Sequence, residues 1–310
     1  MNLFSVCKAA CSRSSAMILA TLGLTLPAAF ATESGASVYP AGVETVLPGL
    51  TPGPGASLLA EFTDFYQANS LVDGKGQSAV PGFHLRVSAV ALKFVHNWGV
   101  HVLGGTLVSY VALPYLYESL SLPFGKGSKT GFSNPDIQPV AVAYSRGAWH
   151  WWYGADVFTP GFQYNKHDLV NIGQHNFAYA PSGAFSYFPE HKTEISSKFQ
   201  YIMNGKDSAT GHRSGNEFVW EYVAMQNIGK HVAVGGNGYF YKQTTDDVQN
   251  GLSLPGSRGR NFAFGPEIRW RVGSKLELIG KYQRDMLVEN RPAGNSFWIQ
   301  LGLPLGHPHE

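Results

Sequence analysis

Between His231 and Asp247 the sequence HVAVGGNGYFYKQTTDD splits with a period of two. Val232, Val234, Gly236, Gly238 and Phe240 fall on one side, and Ala233, Gly235, Asn237, Tyr239, Tyr241 and Gln243 on the other. The glycines do not fit the dinucleotide spacing G-x-G-x-x-G and no amphipathic helix follows them. The stretch therefore reads as a strand whose glycines allow close packing or a kink. The same split recurs along the chain. GNSFWIQLGLPL sets Phe297, Ile299, Leu301 and Leu303 against Ser296, Trp298 and Gln300, and SKLELIGKYQRD sets Leu276, Leu278 and Tyr282 against Glu277, Lys281 and Gln283. RNFAFGPEIRWRVG sets Phe262, Phe264, Ile268 and Trp270 against Asn261, Glu267, Arg269 and Arg271. EFVWEYVAMQ and TEISSKFQYIM repeat the pattern, with Phe218, Trp220, Ile195 and Phe199 opposite Glu217, Glu221, Glu194 and Lys198.

Alternation alone is shared by soluble β-sandwiches and membrane barrels. The connections separate the two. Short turns are expected at Asn97, Ser145, Pro189, Asn227 and Val272, and they alternate with long polar loops near residues 68–82, 113–135, 159–175, 204–215, 246–260 and 286–295. Short-long alternation with strands of about ten residues is the pattern of an up-and-down antiparallel transmembrane β-barrel, and the spacing predicts about 12 strands in this all-β fold. Trp149, Trp151, Trp152 and Tyr153, with Phe218, Trp220 and Tyr222, cluster where an interfacial girdle of aromatics is expected.

The start of the chain agrees with export. Lys8 and Arg13 precede the apolar run from Ala16 to Ala31, which ends in a small-x-small cleavage pattern, so residues 1–31 read as a signal peptide. Residues 32–54 then form an N-terminal extension, 55–305 the barrel and 306–310 a tail. Both cysteines, Cys7 and Cys11, lie in the expected signal peptide, which excludes a disulfide scaffold or a thiolate nucleophile in the exported chain. Without Lys8 and Arg13 the formal charge of +2 falls to zero, so nucleic acid is not an expected partner. The 36 glycines among 310 residues exceed the roughly 7% norm. Together these features place the protein in the outer membrane of a Gram-negative bacterium.

Six stretches carry a family resemblance: NPDIQP (Asn134 to Pro139), NIGQHNFAYAPSGAFSYF (Asn171 to Phe188), SGNEF (Ser214 to Phe218), GYFYKQTTDD (Gly238 to Asp247), GPE (Gly265 to Glu267) and SFWIQL (Ser296 to Leu301). In order and spacing they resemble the outer-membrane proteins named for the meta-cleavage pathway of phenol degradation, which also include sphingosine-responsive outer-membrane proteins. The chain departs from that pattern before Asp136, where Ser-Asn-Pro stands in place of Gly-x-Gly. The resemblance implies a monomeric barrel, inserted by the barrel assembly machinery among outer-membrane lipids. It further implies passive uptake of small hydrophobic or aromatic compounds linked to a catabolic pathway, with no catalytic residues and no cofactor.

Glu194, Lys198, Gln200, Glu217, Glu221, Glu267, Arg269, Arg271, Glu277, Lys281 and Gln283 share the inward phase. They are candidates to line a lumen and meet solute, with Arg269, Arg271, Glu277 and Lys281 best placed for a constriction. The competing expectation is that opposite charges on neighbouring strands pair and fill a narrow barrel. Tyr239, Tyr241 and Trp298 offer flat faces to an aromatic or acyl solute. No metal site is expected, since His191 stands alone and His307 and His309 form an H-x-H without further ligands. One alternative is a structural barrel; an enzymatic one rests on His212 and Ser214, whose phase matches the lipid face, as in an outer-membrane lipid esterase or deacylase with a His-x-Ser pair. No carboxylate to orient the histidine shares that face, because Glu217 has the opposite phase.

Overall fold

The computed structural model describes residues 36–273 and 276–305. The expected signal peptide with Cys7 and Cys11, and the tail with His307 and His309, lie outside the described residues. Sixteen strands are described: β1 (Ser57–Leu71), β2 (His84–Val102), β3 (Gly105–Leu122), β4 (Gly125–Phe132), β5 (Asp136–Arg146), β6 (Trp149–Phe158), β7 (Ala178–Tyr187) and β8 (Thr193–Asn204) come first. They are followed by β9 (His212–Arg213), β10 (Glu217–Ile228), β11 (Val232–Gln243), β12 (Asp247–Gln249), β13 (Leu252–Leu254), β14 (Arg260–Val272), β15 (Leu276–Glu289) and β16 (Pro292–Leu305). Leaving out β4 and the small sheet β9-β12-β13, twelve strands form one antiparallel ring in chain order. It closes where β1 pairs with β16, from Ser57 opposite Leu305 to Leu71 opposite Pro292. Closure leaves the twelve-strand ring itself without an unpaired edge, which a hydrocarbon environment would not tolerate.

The period-two phases are those of the wall. In β10, Glu217, Val219, Glu221, Val223 and Met225 are buried inside, while Phe218, Trp220 and Tyr222 face out. In β14, Phe264, Ile268 and Trp270 are about half exposed on the outside, as a lipid-facing band requires. Trp149 stacks on Tyr187 with ring centroids 4.3 Å apart, and Trp220 on Phe199 at 6.1 Å. Trp152, expected in the girdle, instead points inward and is buried.

Three connections differ from expectation. At Asn97 the chain does not turn: β2 continues to Val102 through an irregular register, and the turn falls at Leu103 and Gly104. The turn-like sequence Asn-Trp-Gly serves another purpose, since the Asn97 carbonyl accepts from the Gly55 amide at 2.9 Å and its amide nitrogen donates to Ala56 at 3.0 Å. Much of 113–135 is not a loop, because β3 runs on to Leu122 and β4 folds back on it as a hairpin. The expected loop at 286–295 is a tight turn between β15 and β16, with Asn290 at φ 51°. Elsewhere long connections do gather at one end and short turns at the other, which makes the loop end extracellular.

The glycines of β11 have a specific use. The Tyr222 ring lies across the strand at Gly238, where a Cβ would sit 2.6 Å from the tyrosine oxygen, and its hydroxyl donates to the Ala263 carbonyl at 3.0 Å. One aromatic thus bridges β10, β11 and β14 over a gap that only glycine leaves. Gly238→Val is expected to cost about 1–3 kcal/mol by overpacking and to lower the temperature at which the folded band shifts in a heat-modifiability gel. Gly302→Ala, with nothing within 4 Å of the added carbon, is the matched control and should not move it. An unshifted Gly238→Val band would refute this packing account.

Candidate functional site

Residues 36–56, ASVYPAGVETVLPGLTPGPGA, contain a single charged residue, Glu44, and four prolines. With no alternation and few amide donors in register, the segment cannot join the sheet. It enters the lumen instead. At the extracellular end Gln174, in the connection after β6, donates to the Ala36 carbonyl at 3.1 Å. At the opposite rim the Gly55 and Ala56 backbone hydrogen bonds to Asn97 lead the chain into β1. The segment therefore crosses the barrel from loop end to turn end.

A tight turn at Pro40–Val43 anchors it, with Gly42 at φ 93° and the Val43 amide donating to the Pro40 carbonyl at 3.2 Å. The donors on one side of this turn converge on Glu221: the Gly42 and Glu44 amides reach its Oε1 at 2.6 and 3.2 Å, and the Tyr39 hydroxyl its Oε2 at 2.8 Å. The acceptors on the other side converge on Lys281, whose ammonium donates to Gly42 O at 2.5 Å, Val43 O at 2.8 Å and Thr45 Oγ1 at 3.0 Å. All three ammonium protons are thereby used. Two residues on, Glu44 sits between the ammoniums of Lys93 at 2.5 Å and Lys198 at 3.1 Å. Lower down, Glu194 accepts from the Leu47 amide at 2.9 Å and pairs with Arg269 at 2.5 Å. Trp152 donates to the Pro48 carbonyl at 2.6 Å, and Ser186 accepts from the Gly49 amide at 3.1 Å.

The inward-phase residues expected to meet solute or to pair across strands thus lie around this segment. Glu217 accepts from Ser37 at 2.5 Å, Glu267 from Thr45 at 3.3 Å, and Gln283 donates to Gly42 O at 3.1 Å. Gln200 donates to Asp156 at 2.6 Å, away from the segment. Tyr239 bonds Asp285 at 2.6 Å, Tyr241 lies under the Arg291 guanidinium at 3.9 Å, and Trp298 donates to Gln283 at 3.1 Å. The structure does not assemble Arg269, Arg271, Glu277 and Lys281 into one ring of charge. Arg271 pairs with Glu277 at 3.2 Å at an exposed position, apart from the other two. Glu44, Lys93 and Trp152 were the residues to find. The lone carboxylate in an uncharged, proline-rich stretch and the lone lysine in the apolar run AVALKFVHNW were the signals for the first two, while Trp152 was read as part of the girdle.

The His-x-Ser pair is not on the lipid face. His212 belongs to β9, in the small sheet that the loops after β8 and β11 build beyond the ring, and Ser214 is buried there. His212 Nε2 lies 3.9 Å from Asp247 Oδ2, a carboxylate brought in by the second loop, and its Nδ1 lies 3.2 Å from Gln249 Oε1. The other oxygen of Asp247 accepts from the Gly215 amide at 2.8 Å and from Gln243 at 2.7 Å, so the carboxylate ties the loops together. Asn134, in the departing Ser-Asn-Pro, does the same, donating to the Thr159 and Gln174 carbonyls at 2.8 and 2.9 Å.

The described residues leave a space in the lumen. On the turn-end side of Glu44 a cavity of about 660 Å³ separates residues 46–53 from β1, β2, β3, β15 and β16.

This geometry defines an outer-membrane β-barrel with a lumen occupied by its own N-terminal segment. Over residues 68–301 the chain matches the family described as the putative MetA-pathway of phenol degradation, and it belongs to that family. The fold is similar to the crystal structure of an outer membrane channel from Pseudomonas putida F1, with 14% identity, a TM-score of 0.73, and coverage of 82% of this chain and 97% of that one. It is more distantly similar to the transport unit of the autotransporter AIDA-I from Escherichia coli, with 10% identity, a TM-score of 0.47, and coverage of 86% and 95%. At these identities the likeness shows fold alone. A comparison with curated proteins returned no match.

Removing Glu44 leaves two buried lysines without their shared counter-charge, a change that costs about 3–5 kcal/mol for a buried pair. Glu44→Ala is therefore expected to release the segment, raising single-channel conductance and exposing residues 36–56 to protease in detergent. Unchanged conductance and protection would show that Glu44 does not hold the segment.

Proposed function

We propose that this protein is a channel for passive uptake of small hydrophobic or aromatic compounds that feed a catabolic pathway. It works as a monomer in outer-membrane lipid after insertion by the barrel assembly machinery. The observation that carries the reading is the division of labour inside the lumen. Its charged and amide groups grip the N-terminal segment, while the space left over is walled largely by Leu47, Leu50, Leu58, Phe62, Val95 and Val108. A filter for ions would present the reverse, free charge around water. In this reading the lumen-facing residues Glu194, Lys198, Glu217, Glu221, Glu267, Arg269 and Lys281 act on solute indirectly, by setting the position of the segment that solute must pass. Tyr239 and Tyr241 contribute by filling the lumen above it.

Deleting the gene is expected to slow growth on a low concentration of a hydrophobic aromatic carbon source and to leave growth on acetate unchanged. Equal growth on both would remove uptake as the role. The nearness of His212 to Asp247 keeps a hydrolase assay worthwhile, with wild type, His212→Ala and Ser214→Ala incubated with phospholipid in detergent. No hydrolysis by any of the three, with uptake intact in Ser214→Ala, is the expected result. Hydrolysis lost by orders of magnitude in both variants would establish the enzyme instead.

A further inference from the structure

The lumenal cavity has features of a binding site as well as a passage. Its volume of about 660 Å³ falls within the roughly 300–1,000 Å³ usual for small-molecule sites. Leu58, Ala60 and Phe62 present the inward phase of β1 to it, and Val95, Val108 and Trp152 close it from β2, β3 and β6. The charges at its border are already partnered. Lys93 is bound to Glu44 and lies 3.6 Å from the centroid of the Tyr110 ring, and Arg271 pairs with Glu277. Trp152 gives its one N–H to Pro48, Gln300 donates to Val43 O at 2.7 Å, and Gln138 donates to Asp156 at 2.7 Å. An anion moving in from the open rim, where Arg271 is paired with Glu277, would lose part of its water against a mostly apolar wall and meet Lys93 already paired with Glu44, which is costly. A neutral ring system loses nothing of that kind and gains apolar burial.

We propose that this cavity is a binding site that holds neutral, mostly apolar solutes of one or two rings and rejects their carboxylates. The proposal rests on the uptake reading and assigns selectivity to the chamber below the segment's anchor, where solute is held before release.

The exported chain is expected to lack cysteine, so Ala60→Cys supplies a single thiol inside the chamber and Val108→Cys a second, independent one. Ile268→Cys, half exposed on the outer wall, is the control for solute dissolved in detergent. The rate of alkylation by N-ethylmaleimide is measured on the purified full chain with naphthalene, with 2-naphthoate or with neither. Bound solute slows the reaction by one plus its concentration over Kd, so naphthalene is expected to protect both chamber thiols about fivefold or more and 2-naphthoate hardly at all. Equal protection by both compounds, no protection, or the same protection at Ile268→Cys overturns the proposal. If naphthalene fails to protect while deletion still abolishes naphthalene uptake, the chamber is not a site and the uptake reading stands. Selective protection without any uptake defect keeps the site and removes the uptake reading.

Discussion

The lumen is organised by the turn at Pro40–Val43, gripped between a carboxylate and an ammonium. A turn has a donor side and an acceptor side, and here Glu221 takes the amides of Gly42 and Glu44 while Lys281 takes the carbonyls of Gly42 and Val43. Each charge also has an opposite one directly across the neighbouring strand, Glu221 opposite Lys198 and Lys281 opposite Glu267. Hydrogen bonds from the segment add to that cross-strand attraction, which is how these buried ions are tolerated. Gly42 is obligatory in this arrangement because its φ of 93° is strained for other residues and a side chain there would meet Gln283 and Tyr239.

From that anchor the remaining contacts follow in order along the segment, with hydrogen-bonding partners on eight strands: β2, β6, β7, β8, β10, β14, β15 and β16. The lumen is consequently asymmetric. Toward the loop end it is packed, with Tyr39 edge-on to Phe158 at 6.3 Å and Tyr239, Tyr241 and Trp298 in one cluster. Toward the turn end, Pro48 and the residues after it stand away from β1 and leave the chamber. The outer wall obeys different rules, with apolar and aromatic side chains in contact with lipid and a few glycines cut away to let rings lie flat.

Much of the wall was legible because its cause is local: a side chain two residues along a strand returns to the same face. That rule alone separates Glu217 and Glu221 from Trp220, and Lys281 from Tyr282. The occupied lumen was not legible because its cause is remote. Lys281 and Gly42 are 239 positions apart, and nothing in the spacing around either announces the other. Inward charges looked like a filter or like strand-to-strand pairs, and Arg271 with Glu277 is such a pair, but a strand pattern shows which way a side chain points and not what stands in front of it. Asn97 misled for a related reason. Asn-Trp-Gly has turn chemistry, yet here the asparagine side chain donates to the Pro52 carbonyl at 2.8 Å and fastens the segment as it leaves the lumen.

The course of residues 36–56 through the ring bears on how the molecule is made. The seam between β1 and β16 joins the two ends of the barrel sequence, and the segment lies immediately before β1. A ring without the segment would leave Lys198, Lys281, Glu194 and Glu221 facing a water-filled lumen, with water in place of the backbone and side-chain groups of the segment that they now bind. Because the segment runs directly into β1, the strand that closes the ring also fixes the lower end of what fills it.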